Sequence, residues 1–183
     1  MQVTPSLKGV LVATTNWTKG VIVGLAGGLA ATIAIDILTV SVLPLTGAPA
    51  AGGFILIGDT AAAFFAFFGR QVAGGVPLGL FFHYIIGVAL GGLFGGVAFR
   101  IAALRTASRL KMVGLGVLYT ELISIPILIL PPIILKMAKP DIMQWLSFCV
   151  VMHGIFGLVL GLVTSYGLRA VGRARPPAAS RVR

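Results

Sequence analysis

Acidic residues are scarce in this chain: four in 183 residues, against 14 lysines and arginines and two histidines. Charged residues make up only 10% of the chain and hydrophobic ones 58%, with a mean hydropathy of +1.07, which leaves too little polar surface to coat a soluble domain of this length. The single cysteine, Cys149, lies in an apolar run and excludes an intrachain disulfide, a CxxC redox pair and a thiolate metal cage. No H-x-x-x-H, HEXXH or E-x-x-H spacing offers a metalloenzyme site, and no G-x-S-x-G turn offers a nucleophile. The glycines of "GLAGGLA" at 24–30 follow no strand and are helix-packing residues rather than a nucleotide loop. The chain therefore reads as non-enzymatic. Its net charge of +10 does not imply nucleic acid, because the basic residues stand at the ends of apolar segments and in the tail, where they act as topology signals.

What the sequence has instead is long apolar runs. Four of them, at 20–43, 78–104, 112–135 and 142–168, are long enough for a hydrocarbon core of about 30 Å and predict an all-α membrane protein with four transmembrane helices. A fifth run, 54–69, is shorter, contains Asp59 and follows the loop "PLTGAPAAGG"; it reads as a re-entrant or interfacial helix, with Asp59 as a gate. With four spans, Lys8, Lys19, Arg100, Arg105, Arg109, Lys111 and the five tail arginines fall on one side, which the positive-inside rule makes cytoplasmic for both termini. The expected organisation is a cytoplasmic segment 1–19, one bundle 20–171 and a basic cytoplasmic tail 172–183. Trp17, Trp145, Tyr84 and Tyr166 read as interfacial anchors. "APA" at 48–50 resembles a cleavage site, but the apolar run before it is too long for a signal peptide.

The second and fourth runs echo each other. "HYIIGVALGGLFG" from His83 and "HGIFGLVLGLVTS" from His153 both place glycine four and eight residues after the histidine, at Gly87 and Gly91 and at Gly157 and Gly161, then Gly95 and Ser165 at twelve. The first and third runs align as well, Gly28 with Gly116, Thr32 with Thr120 and Pro44 with Pro132. The bundle is therefore expected to be two tandem hairpins, 20–104 and 112–171, repeated in parallel, with 54–69 inserted in the first. Gly24, Gly28, Gly87, Gly91, Gly95, Gly157 and Gly161 form small faces through which membrane helices approach closely.

Depth singles out four ionisable residues. Counted from the basic ends of their helices at about 1.5 Å per residue, Asp36, His83 and His153 each lie roughly 25 Å in, and Glu121 about 15 Å in. Ionisable side chains in hydrocarbon face a bundle interior and pair with one another, so Asp36 with His83 and Glu121 with His153 are the expected pairs. Pro126 frees a carbonyl near Leu122, beside Glu121.

Three readings stand open from these residues. Asp36, His83, Glu121 and His153 form a proton relay or weak cation site, since histidine changes charge near physiological pH. Alternatively, His83 and His153 are the axial ligands of a b-type haem, the adjacent glycines making room for the porphyrin. Or the histidines only satisfy interhelical hydrogen bonds in a small subunit that self-associates or docks into a larger membrane complex. Only the second needs a cofactor, and the lipid bilayer is a partner in all three.

The stretch from His83 to Arg173, about half the chain, resembles the YagU-like group of small bacterial inner-membrane proteins. The features that carry the likeness are "FFHYIIGVALGGLFGG", the basic loop "RTASRLK", the proline-containing "ELISIPILIL" and "VVMHGIFG" running on to "GLRAVGR". The resemblance implies a bacterial inner-membrane location and a link to acid tolerance, and assigns no residue a role.

Overall fold

The computed structural model describes residues 7–47 and 49–173, with side-chain surroundings for 17–171 apart from residue 46. Residues 1–6, Ala48 at the start of the "APA" motif and the tail beyond Arg173 lie outside the described residues. The chain is 87% helix with no strand among the described residues. In order come α1 (Leu7–Val42), α2 (Gly52–Phe67), α3 (Val76–Arg100), a short α4 (Ala102–Arg105), α5 (Arg109–Ile134) and α6 (Lys139–Arg173), with a 3₁₀ turn at Leu43–Thr46. The long helices α1, α3, α5 and α6 are each long and apolar enough to cross a membrane, an architecture compatible with a four-span integral membrane protein. The fifth apolar run is α2, whose 16 residues fall short of a span.

Local chemistry marks the helix limits. Pro77 sits in the first turn of α3, where its missing N–H is no loss. The Ser108 hydroxyl caps α5 by accepting from the Lys111 N–H at 3.3 Å. Asp141 lies in the first turn of α6, at the positive end of its dipole. Between α2 and α3, Gly75 adopts φ +80° and its N–H donates to Asp59 Oδ1 at 2.8 Å.

Small and hydroxylated residues line the helix seams beside a core that also holds Phe94, Met112, Phe156 and Leu160, and large apolar side chains cover the outside. On α1, Leu25, Leu29, Ile33 and Ile37 are exposed at intervals of four, while Ala31, Thr32, Ile35 and Thr39 on the other face are buried. Thr120, Ser124, Thr164 and Ser165 are buried too. Such a distribution suits hydrocarbon surroundings, where apolar burial drives nothing and close approach of small residues does. The tightest seams join α1 to α3 and α5 to α6, and α1 also packs along α6. In the first seam a Cβ added at Gly28 would meet the Gly87 carbonyl at 2.5 Å and Gly91 Cα at 3.0 Å. In the second, one at Gly116 would collide with the Gly157 carbonyl and meet Gly161 Cα at 3.1 Å. Either contact admits only glycine. Thr32 and Thr120, one turn on, donate to the Gly28 and Gly116 carbonyls at 2.9 and 2.8 Å.

No comparable seam joins α3 to α5. Tyr119 crosses that gap, its hydroxyl donating to the Leu90 carbonyl at 2.9 Å and its ring 5.1 Å from Phe94. Beyond this bridge α2 lies across α3, with Gly79 closely apposed to the Phe54 backbone. Most of the basic residues gather at the opposite end, with Arg70, Lys136 and Lys139 excepted: Arg100 lies over Trp17 at 5.9 Å, Arg109 over Tyr166 at 4.5 Å, and Arg169 donates to the Ala107 carbonyl at 3.2 Å.

Trp145 departs from the anchor role expected of it. Pro132 has no N–H to give the Leu128 carbonyl one turn before it, and the Trp145 indole N–H fills the place at 3.1 Å. The residue is consequently buried between α5 and α6 and faces away from lipid.

Candidate functional site

Packing of α1 against α3 decides the first contact of the site. With glycines aligned below, Asp36 and His83 project from facing helices at one level, and Asp36 Oδ1 lies 2.8 Å from His83 Nε2. Neither atom has another hydrogen-bond partner, and both are shielded within side chains that are 16% and 19% exposed. The Phe54 ring of α2 meets the His83 ring edge-on at 5.6 Å. A carboxylate and an imidazole so placed share one proton donor and one acceptor, and this fixes which imidazole nitrogen carries the proton.

His153 shares a cavity with His83. The space, about 290 Å³, lies where α3 and α5 stand apart, and it is bounded by α2, α3, α5 and α6 with Ile35 of α1 at its back. His153 Nδ1 is buried and has no hydrogen-bond partner. Thr120 and Ser124 line the wall, their hydroxyls donating to the Gly116 and Thr120 carbonyls of their own helix, at 2.8 and 2.6 Å. Phe156 borders the cavity toward the basic end, and fully buried Leu160 lies one turn beyond it.

Glu121 stands apart from this arrangement. No hydrogen bond or ion pair joins it to His153 among the described residues, and its carboxylate does not line the cavity. One carboxylate oxygen approaches α6 at Gly154, where an added Cβ would lie 3.5 Å away. The reason is register: Glu121 follows Thr120 by one residue, as exposed Ile33 follows Thr32, so it occupies the edge of the seam and not its centre. The residue at the level of Asp36 is Ser124, four after Thr120 as Asp36 is four after Thr32. That correspondence was present in the sequence alignment.

The remaining assignments resolve by contact. Asp59 holds the backbone of the loop before α3, which makes it a clamp on that loop. Gly24, Gly28, Gly87, Gly91 and Gly95 press on one another between α1 and α3, and Gly157 and Gly161 press on the 112–117 stretch of α5. Among the described residues no group of three or more His, Cys, Asp or Glu side chains converges as a metal site would require. The sequence reading did not identify Trp145, Cys149 and Ser124 as members of this site, where all three line the cavity.

No family model, curated protein or solved structure matches the chain.

Proposed function

We propose that this protein is non-enzymatic and exchanges protons within the membrane at the Asp36–His83 pair, with His153 as a second station across the cavity. The observation that carries the reading is the 2.8 Å approach of a carboxylate to an imidazole inside two membrane-spanning helices. Intramembrane ionisable groups are costly and persist where they serve a path or a switch. Histidine is the side chain suited to take and give a proton near neutrality. The location goes with it: a bacterial inner membrane, as in the YagU-like group, with the basic end of the bundle and both termini cytoplasmic.

The matched glycine and threonine contacts of the two seams support a tandem parallel repeat, the hairpins being 20–104 and 112–171 with α2 inserted in the first. Those glycine faces are spent on contacts within the chain, and the outer face is large and aliphatic. This favours a self-contained bundle over a subunit that docks through glycines. The haem alternative is less favoured, because His83 would have to release Asp36 from Nε2 before that nitrogen ligated iron. A visible spectrum of the purified protein, oxidised and reduced, checks it directly.

The test of the main reading is proton flux into liposomes containing an entrapped pH-sensitive dye and a potassium diffusion potential. The wild type should dissipate the gradient; Asp36→Asn and His83→Gln, which keep shape, should each abolish the flux, and His153→Gln should slow it. Equal rates in all four proteins overturn the reading.

A further inference from the structure

The cavity itself calls for a ligand that proton exchange alone does not explain. Its wall includes no Asp, Glu, Lys or Arg, so a charged solute entering it would lose its hydration without a counter-charge. The rest is aliphatic and aromatic, the rings being Phe64, Phe65, Phe82 and Phe156 with the Trp145 indole. The side formed by Phe64 and Leu130 is exposed on the bundle's apolar flank, so entry is from hydrocarbon. At about 290 Å³ the space is nearly twice the roughly 150 Å³ apolar cavity that takes up a single benzene, enough for one substituted ring or two fused ones. The polar atoms offered are few and specific: two imidazoles, with His153 Nδ1 lacking any protein partner. Buried polar atoms in apolar surroundings are ordinarily paired, and a ligand oxygen completes this one.

We infer that the cavity between α2, α3, α5 and α6 binds an uncharged, membrane-soluble ring compound bearing a hydrogen-bonding oxygen, the chemical class of quinone and quinol headgroups, with that oxygen at His153 and its ring among the phenylalanines. The inference rests on the reading that the histidines are functional, and it gives the second station a partner; binding itself requires no proton movement.

Trp145 is a built-in reporter, because it lines the cavity while Trp17, the other tryptophan, stands at the basic end against Arg100. In a Trp17→Phe background reconstituted in nanodiscs, duroquinone should quench Trp145 fluorescence saturably. His153→Leu should weaken the apparent affinity about tenfold through loss of one hydrogen bond, and Glu121→Gln, whose side chain lies outside the cavity wall, should leave it within about twofold. Quenching that rises linearly with duroquinone, and equally in His153→Leu, is collisional and overturns the inference. Cys149, the only thiol and also on the cavity wall, gives a second measurement on the unmutated protein. Duroquinone should slow its alkylation by N-ethylmaleimide at least threefold, and an unchanged rate counts against the site. Saturable binding without proton flux would sink the proton reading alone; flux without binding would sink only this one.

Discussion

Gly28 and Gly116 hold the same place in their two hairpins, each against a glycine carbonyl of the neighbouring helix, and one turn later Thr32 and Thr120 make the same hydrogen bond. One further turn on, the hairpins part: the first presents Asp36 to His83, and the second presents Ser124, its hydroxyl already given to the Thr120 carbonyl, at the level of His153. The second hairpin acts as an internal control. It builds the same close seam with no carboxylate at that level, so packing does not require Asp36. A second difference lies beside it: α1 packs along α6, but its counterpart seam between α3 and α5 is replaced by the Tyr119 bridge and the cavity. Departure from symmetry thus gathers on one side of the bundle, around the two histidines.

The comparison breaks most severely where the hairpins agree. Gly28→Val and Gly116→Val each force a side chain into backbone that has no room to yield, and each should cost about 3 kcal/mol or more, read as a lower thermal midpoint in detergent. A cost confined to one of them would mean that the seams are not alike. The next effect tests where they differ. Asp36→Leu leaves His83 without its partner and should cost about 2–3 kcal/mol, toward the low end for a broken buried pair because both side chains keep some exposure. Asp36→Leu with His83→Phe should recover most of that loss. The converse change, Ser124→Asp, should be tolerated better with His153 present than in a His153→Leu background, since the imidazole then meets the new carboxylate.

Smaller effects sharpen the second hairpin. Trp145→Phe should cost about 1–2 kcal/mol by stranding the Leu128 carbonyl, and the cost should largely vanish in Pro132→Ala, whose restored N–H satisfies it. Tyr119→Phe removes the hydrogen bond across the cavity side and should cost about 1 kcal/mol. Both are checked by thermal melts of the single and double variants.

Much of this was legible before the fold was seen, for identifiable reasons. Spans follow from the length and hydropathy of the runs, and α2 fails as a span by length alone. Glycines four apart announce a close-packed face, because a helix repeats every 3.6 residues. Counting depth from the basic ends put Asp36 and His83 at one level, where the structure has them 2.8 Å apart. Glu121 was matched with His153 by treating the hairpins as equivalent units, although its depth differed from that of His153 and its register sets it one residue off the seam, while Ser124, the true counterpart of Asp36, went unnoticed. Trp145 was misread because its type fits an interfacial belt; the deciding signal was Pro132, whose orphaned carbonyl needs a donor from another helix. The cavity was not legible at all, since it arises from a seam that fails to form between α3 and α5, and hydropathy does not record which helices meet.

The most direct test of the central claim is solid-state ¹⁵N NMR of the two imidazole side chains in lipid bilayers across a pH titration, comparing the wild type with Asp36→Asn. The account predicts that His83 gives a distinct, strongly hydrogen-bonded Nε2 signal which shifts on removing the carboxylate, while the His153 signals stay where they were. His83 signals that ignore Asp36→Asn would contradict it.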